Sequence, residues 1–162
     1  VKSGARLINA RRESIATKPS FRIPIRKKRC LVLADSFYEW RRSGQQKIPY
    51  RIQATNKNLL VMAGIWDEWQ DENKRLRTFS IITTDPNKEM ANIHNRMPAL
   101  LLNKEAQQEW LSDQPLNDIL ELLQTPPDGV LEYYRVSQMV NAVRNNSPQL
   151  HHPVNDEPLT LF

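Results

Sequence analysis

A chain of 162 residues with 40% hydrophobic residues is long enough for one substantial core, and this composition excludes the disordered and fibrous classes. Lys and Arg outnumber Asp and Glu by 23 to 18, and the net charge of +5 favours polyanionic partners without identifying one. The single cysteine excludes an internal disulfide, and no apolar run reaches the roughly 18 residues of a membrane helix. We therefore expect one domain over residues 1–162, a cytoplasmic location and no membrane partner.

The first half of the chain is predicted to be a basic segment followed by strands. The basic run Arg26–Arg29 leads into a strand, although short basic runs are most often solvated faces. Four strands are predicted at about 30–41, 48–53, 59–69 and 75–84. Because the links between them are short and polar, these strands should form an antiparallel meander.

The second half mixes helices with short strands. Asp85 followed by Pro86 is typical of a helix start, with an acid as the cap and proline in the first turn, and this helix should end near Ile93. The further predicted elements are a strand at 97–102, helices at 104–111 and 116–124, a strand at 131–137, and a Pro- and Asn-rich tail that covers part of the sheet. The pattern predicts an α+β fold whose mostly antiparallel sheet is curled or barrel-like, with a few peripheral helices.

One acidic residue lies in an apolar setting within "LVLADSFYEW" (31–40). In a regular strand Glu39 has the same parity as Leu31, Leu33 and Phe37, which places its carboxyl group on the packed side. A carboxyl group buried against aromatic residues suits a general acid, because burial disfavours the charged form. The alternatives are a buried salt bridge or a β-bulge that turns Glu39 outward.

Three more polar residues are candidates for a site. His94 follows the predicted short helix, where the helix dipole favours a protonated ring, although a helix-ending histidine often has no role. In "INARRES" (8–14), Asn9 and Arg11 share one side of an extended backbone, so Arg11 could bind a phosphate and Asn9 could orient a substrate. The alternative for this pair is a solvated sheet edge.

The remaining reactive residue types give no site. Cys30 lies inside the first predicted strand without a histidine nearby in sequence, which favours a structural buried thiol. His151 and His152 are adjacent and are not spaced to bind one zinc ion. We expect no metal and no cofactor.

Five motifs, taken together, resemble the SOS response-associated peptidase family, abbreviated SRAP. Their order and spacing match the family from about residue 8 to the tail. They are "INARRES" (8–14), "KPSFR" (18–22), "RCLVLADSFYEW" (29–40), "ITTDPN" (82–87) and "IHNRMPALL" (93–101).

The resemblance implies a protein of the DNA damage response that recognises abasic sites in single-stranded DNA and links itself to them. The family's nucleophile is an N-terminal cysteine whose α-amine and thiol form a thiazolidine with the opened sugar, and the family name reflects a proposed autoproteolysis. By motif match, Glu39 would be the acid or base, His94 would assist sugar opening, and Asn9 would hold the amine. The resemblance also assigns residues to the DNA path: Arg11, Thr83, Arg96 and Trp40.

The chain departs from the family pattern at its start. It begins with Val1, and the family's Met-Cys-Gly segment has no counterpart ahead of "INAR", so we expect upstream residues to be missing. Cys30 is no substitute, because its nitrogen lies in a peptide bond, and we expect this chain to form no thiazolidine. A missing strand would expose a sheet edge through which the chain could oligomerise. The alternatives are a non-catalytic module that binds single-stranded DNA and, ranked last, a peptidase acting on other proteins.

Overall fold

The strands of the protein form two separate sheets. The structure is a computed structural model that describes residues 7–154. Its strands are Asn9–Arg11 (β1), Arg29–Ala34 (β2), Ser36–Ser43 (β3), Gln46–Ala54 (β4), Leu60–Gln70 (β5), Arg75–Thr84 (β6), Met97–Pro98 (β7) and Leu131–Arg135 (β8). The first sheet has the order β1-β6-β5-β2, with β7 also paired to β6, and the second has the order β3-β4-β8. All of these pairs are antiparallel except β1 with β6.

The helices are short. They are Pro24–Lys27 (α1), Lys88–Ala91 (α2), Lys104–Leu111 (α3) and Leu116–Glu121 (α4), with 3₁₀ turns at Arg12–Ser14, Gln138–Asn141 and Pro148–His151. The predicted α+β class is confirmed, with the difference that the sheets do not close into a barrel within residues 7–154. No helix in that range is long and apolar enough to cross a membrane.

The predicted strand at 30–41 is wrong as a single element, because the chain breaks at Asp35. β2 pairs with β5 in the first sheet, whereas β3 pairs with β4 in the second. The break lets Leu31 pack against one core and Phe37 against the other. The meander is also wrong between β4 and β5, because β4 pairs with β8 instead.

Two hydrophobic cores flank the first sheet. The first core lies between that sheet and the helices, and the second lies between the two sheets, where Met62 of β5 packs with Tyr50 and Ile52 of β4. In the first core, α3 packs on the first sheet through Trp110, which is fully buried and donates its Nε1–H to the carbonyl of Cys30 at 2.9 Å. The Arg29 guanidinium joins the same region, donating to the carbonyls of Trp110 at 2.7 Å and Ile25 at 2.8 Å. Arg29 therefore begins a strand, as predicted, but it is structural and does not belong to a solvated face.

Close approach of β2 and β5 depends on Gly64. A Cβ atom at this position would lie 2.7 Å from Cγ2 of Val32 and 3.0 Å from Sγ of Cys30, inside normal contact distance. Cys30 is half-buried, and burial raises the pKa of its thiol, which keeps the sulfur in its unreactive form.

Several other boundaries differ from the prediction. The helix predicted from Asp85 begins later, at Lys88, because the side chain of Asn87 accepts the N–H of Met90 and caps it. The strand predicted at 97–102 is regular over two residues only and continues as a bridge between Leu100 and Met62. The strand predicted at 131–137 ends at Arg135, and the helix predicted at 116–124 ends at Glu121.

The tail covers the second sheet, as the sequence predicts. The Tyr134 hydroxyl donates to the carbonyl of His151 at 3.0 Å, and Pro153 forms a bridge with Val136. In the first sheet, β2 is an edge strand, and pairing of a sheet edge with another copy of the chain stays a prediction.

Candidate functional site

A cavity of about 350 Å³ lies where residues of the two sheets meet. The first sheet contributes β1 and the end of β6, the second contributes β3, and the loop after α2 closes the cavity. Six of the seven residues that the sequence assigns to a site line it: Asn9, Arg11, Glu39, Thr83, His94 and Arg96. The fold therefore brings together side chains that are up to 87 positions apart in sequence.

The wall from the first sheet follows from the alternation of β1. Ala10 is buried in the first core, so Asn9 and Arg11 on either side of it point the opposite way, as the sequence predicts. The parallel pairing with β6 sets Arg11 opposite Thr83. An amide, a guanidinium and a hydroxyl group are thereby placed on one wall.

Glu39 and His94 face each other across the cavity. Glu39 shares the packed side of β3 with Phe37, as its parity predicts, and its side chain is 26% exposed. Its Oε2 atom lies 3.6 Å from Nδ1 of His94, which is 42% exposed. This separation is longer than a hydrogen bond, and it permits charge attraction when the ring is protonated.

The main chain of Arg96 holds the His94 ring. The Arg96 N–H donates to Nδ1 at 3.3 Å, and the Arg96 carbonyl lies 3.2 Å from the same nitrogen. An unprotonated Nδ1 can accept from the N–H, and a protonated Nδ1 can donate to the carbonyl. The loop therefore provides a partner for the ring in both states.

The Arg96 guanidinium lies in a dense ionic network and is only 15% exposed. It forms a two-bond fork with the carboxylate of Glu13, at 2.9 and 3.0 Å, and also donates to Asp85 at 2.8 Å and to the Thr83 carbonyl at 2.6 Å. Its buried Nε has no hydrogen-bond partner among residues 7–154. Arg96 thus lines the cavity with its charge already compensated by two carboxylates, and the role in the DNA path that the resemblance implies for it stays a prediction.

The network also shifts the ionisation of Glu13. Partial burial acts to raise the pKa of this carboxyl group, but hydrogen bonds from Arg96 and the charges of Arg96 and Arg11 outweigh it and lower the pKa. The carboxylate contributes to stability above the ordinary Glu pKa, and this contribution is lost as pH falls through the lowered value.

Trp40 does not line this cavity. It follows Glu39 in β3, so its side chain points to the other face of the second sheet, where its Nε1–H donates to Oδ1 of Asn141 at 2.6 Å. The geometry therefore gives no support to its assignment as a DNA-binding residue.

A second cavity, of about 820 Å³, is larger but chemically poorer. Its lining is largely apolar and includes Phe21, Ile65, Trp66 and Phe79. The smaller cavity is the better candidate, because a carboxylate, an imidazole and two guanidinium groups converge on it.

Comparison with known proteins decides the family. Residues 1–143 match the family described as "SOS response associated peptidase (SRAP)". The chain belongs to the SRAP family.

Relatives of this SRAP chain carry a common name. It is 46% identical over 153 residues to "Abasic site processing protein YoqW" of Bacillus subtilis (strain 168), covering 92% of this chain and 68% of that protein. It is 36% identical over 171 residues to "Abasic site processing protein HMCES" of Gallus gallus, covering 90% of this chain and 50% of that protein. The chain therefore spans about two thirds of the bacterial relative and half of the avian one.

Solved structures support the same SRAP fold. A crystal structure of a protein from Bacteroides thetaiotaomicron superposes with a TM-score of 0.84 at 35% identity, covering 93% of this chain and 67% of that one. A phage-related protein from Bordetella bronchiseptica gives a TM-score of 0.65 at 30% identity, covering 82% of this chain and 64% of that one.

Two residues of this SRAP site are missed by sequence reasoning. Glu13 lies within the "INARRES" motif but is given no role from the sequence, and Asp85 is interpreted as a helix cap. Both instead bind Arg96. The signal that could have indicated Glu13 is its position, four residues after Asn9 and just beyond the end of β1.

Proposed function

We propose that this protein acts on abasic sites in single-stranded DNA, and that the cavity between its sheets holds the exposed deoxyribose. The observation that carries this proposal is the Glu39–His94 pair, contributed by two different parts of the fold and 3.6 Å apart inside a cavity of about 350 Å³. Relatives at 36% and 46% identity are named abasic site processing proteins, which supports the same substrate class here.

The chemistry that suits this pair is opening of the sugar ring. An abasic deoxyribose is a cyclic hemiacetal, and its open form is an aldehyde. Opening removes the proton of the anomeric hydroxyl, breaks the bond between C1′ and the ring oxygen O4′, and adds a proton to O4′. The Glu39 carboxylate accepts the first proton and protonated His94 supplies the second, so protons and bonds balance.

The other residues of the cavity bind and orient the DNA. Arg11 binds a phosphate next to the lesion, because a guanidinium presents its N–H donors to phosphate oxygens in a fixed fork. Asn9 orients the sugar or an incoming amine, and Thr83 and Arg96 line the path of the strand. Single-stranded DNA is favoured because an unpaired strand can bend sharply at the abasic nucleotide, whereas in a duplex the same bend would disturb the stacking and pairing of the flanking base pairs.

Crosslinking to the aldehyde requires a further group. A thiazolidine forms when one residue supplies both a free α-amine and a thiol, and the only cysteine of these 162 residues, Cys30, has its nitrogen in a peptide bond. We therefore propose that these 162 residues open the sugar but do not close a thiazolidine. Peptidase action on other proteins ranks below this, because neither serine nor cysteine lines the cavity among residues 7–154.

A non-catalytic DNA-binding module is the second candidate. It is favoured by the net charge of +5 and by Arg11 at the cavity, which bind phosphate whether or not a proton moves. The two functions differ in rate, since a binding module holds the strand without accelerating sugar opening.

The test combines binding with aldehyde trapping. Fluorescence anisotropy compares labelled single-stranded oligonucleotides that carry a central thymidine, a tetrahydrofuran analogue or a natural abasic site. An aminooxy probe then captures the open aldehyde of the natural site as an oxime, at probe concentrations where ring opening limits the rate. We expect tighter binding of both abasic strands and faster oxime formation with protein present. Equal affinity for all three strands and an unchanged trapping rate would contradict the proposal, and tighter binding alone would favour the binding module.

Substituting Arg11 should weaken DNA binding and its dependence on salt. A plot of the logarithm of the binding constant against the logarithm of the salt concentration has a negative slope. In Arg11→Gln we expect this slope to become shallower by about 0.7, the contribution of one phosphate contact on a single strand. Anisotropy titrations between about 50 and 200 mM salt measure this slope. Arg22→Gln is the matched control, because Arg22 is exposed and outside the cavity. Equal slopes for the two variants would show that Arg11 contacts no phosphate.

A further inference from the structure

Glu13 is outside the residues that the family motifs assign to the site, yet it is tied to the site through Arg96. It lies in the 3₁₀ turn Arg12–Ser14, directly after β1, and so belongs to the segment that carries Asn9 and Arg11. Its carboxylate accepts both hydrogen bonds of the Arg96 fork, at 2.9 and 3.0 Å. A two-bond fork fixes the orientation of both groups, whereas a single ionic contact leaves them free to rotate.

Arg96, whose side chain is fixed in this way, in turn holds the ring of His94 through its main chain. The residue is held at its side chain by Glu13 and Asp85, and its main chain contacts Nδ1 of His94 at 3.3 Å through the N–H and 3.2 Å through the carbonyl. Moving the guanidinium would move the peptide groups that hold the ring. Since Nδ1 is also the nitrogen that faces Glu39, the same movement would change the distance between the two proton-transfer groups.

We propose that Glu13, assisted by Asp85, is a positioning residue that holds Arg96 so that its main chain keeps the His94 ring aimed at Glu39. This inference rests on the proposed function, because it assigns the ring a role in proton transfer. Glu13 binds no substrate in this arrangement. It connects the β1 wall of the cavity to the loop on the opposite side, and it shares with Asp85 the neutralisation of a guanidinium that is only 15% exposed.

The geometry explains why a carboxylate is needed at position 13. Glutamine has nearly the same shape but offers one acceptor oxygen, so it keeps at most one bond of the fork and presents an N–H₂ group to the other guanidinium nitrogen. Asp85 alone contacts a single Arg96 nitrogen, at 2.8 Å, and its side chain is 75% exposed. Loss of the Glu13 carboxylate therefore leaves Arg96 with one weakly held ionic partner.

The experiment compares Glu13→Gln with wild type by two readouts. Aldehyde trapping should show a maximal rate lowered about tenfold, with affinity for the tetrahydrofuran strand within about twofold, because positioning affects the reacting groups more than binding. Amide hydrogen exchange, followed by NMR, should show the Arg96 N–H exchanging about tenfold faster, because the loop that carries it is released. The Ile82 amide, in the core of the first sheet, should be unchanged.

Three further variants complete the design. Arg96→Lys keeps the positive charge but removes the fork, and it should reproduce both effects of Glu13→Gln. Asp85→Asn should show the same effects at smaller size. Glu72→Gln, in the exposed turn between β5 and β6, is the matched control and should change neither readout.

The possible outcomes separate this inference from the proposed function. If Glu13→Gln matches wild type in both trapping rate and Arg96 exchange, the positioning role is wrong. If Arg96 exchange rises while the trapping rate is unchanged, Glu13 stabilises the loop without serving the reaction, and the inference is again wrong. If wild type fails to accelerate trapping, the proposed function fails, whereas Arg96 exchange still reports whether Glu13 holds the loop.

Discussion

Glu39→Gln should slow opening of the abasic sugar at least 100-fold while leaving affinity for single-stranded DNA within about twofold. General acid–base catalysis by one side chain contributes about 10²- to 10⁴-fold, and glutamine cannot exchange a proton at neutral pH. The substitution is otherwise mild, because the amide oxygen can still accept the Trp40 N–H that Oε1 of Glu39 accepts at 3.1 Å. The rate of oxime formation measures the effect, and anisotropy with the tetrahydrofuran strand measures affinity.

The controls for this prediction use the partner residue and a distant acid. His94→Gln should show a comparable loss of rate, and the double variant should lose little more than either single variant, because paired groups act as a unit. Glu72→Gln, in the turn between β5 and β6, should retain the wild-type rate. A Glu39→Gln protein that traps aldehyde as fast as wild type would remove this carboxylate from the mechanism and would favour the binding module.

Trp110→Ala should lower the free energy of unfolding by about 4 kcal/mol, the largest stability effect we expect from one substitution. The indole is fully buried in the first core, where it packs α3 against the first sheet, so alanine at this position would leave a large cavity. The substitution also removes the donor to the Cys30 carbonyl at 2.9 Å. Since domains of this size are stable by only about 5–15 kcal/mol, a loss of this size removes between about a quarter and most of the total stability. Urea denaturation followed by circular dichroism measures it.

Two tryptophan substitutions separate packing from hydrogen bonding in that result. Trp110→Phe keeps an aromatic ring but removes the indole N–H that the Cys30 carbonyl accepts in addition to its ladder bond with Gly64, and it should cost about 0.5–1.5 kcal/mol. Trp69→Ala removes an indole that is 51% exposed near the end of β5 and should change stability by less than about 0.5 kcal/mol. If Trp110→Ala and Trp69→Ala have equal midpoints, the attachment of α3 does not depend on the buried indole.

The long, strongly patterned elements could be predicted from the sequence. The bounds predicted for β6 and α3 match the structure, because a ten-residue strand and an eight-residue amphipathic helix carry complete periods of apolar residues. The break at Asp35 could not be predicted, because the apolar residues on either side of it keep one parity while they face two different cores. Pairing between strands likewise depends on contacts that distant segments make, which a local pattern does not report.

The part of the candidate site that depends on the family motifs and on the alternation of side chains along strands could be predicted from the sequence. Asn9 and Arg11 share a side because β1 alternates, and Glu39 faces inward for the same reason. The same alternation places the Trp40 side chain outside the cavity, so the DNA-binding role that the family resemblance implies for it stays a prediction. Glu13 was missed because its importance comes from Arg96, 83 positions later, and no local pattern connects the two.

The single residue between β2 and β3 also limits how far the two walls of the cavity can move apart. Asp35 is the point where the chain passes directly from one sheet to the other, and Glu39 lies only four residues beyond it. Asn9 and Arg11 belong to the first sheet and Glu39 to the second. Because the two sheets also share a core, in which Met62 of β5 packs with Tyr50 and Ile52 of β4, this short connection and the packing between the sheets together set the width of the cavity.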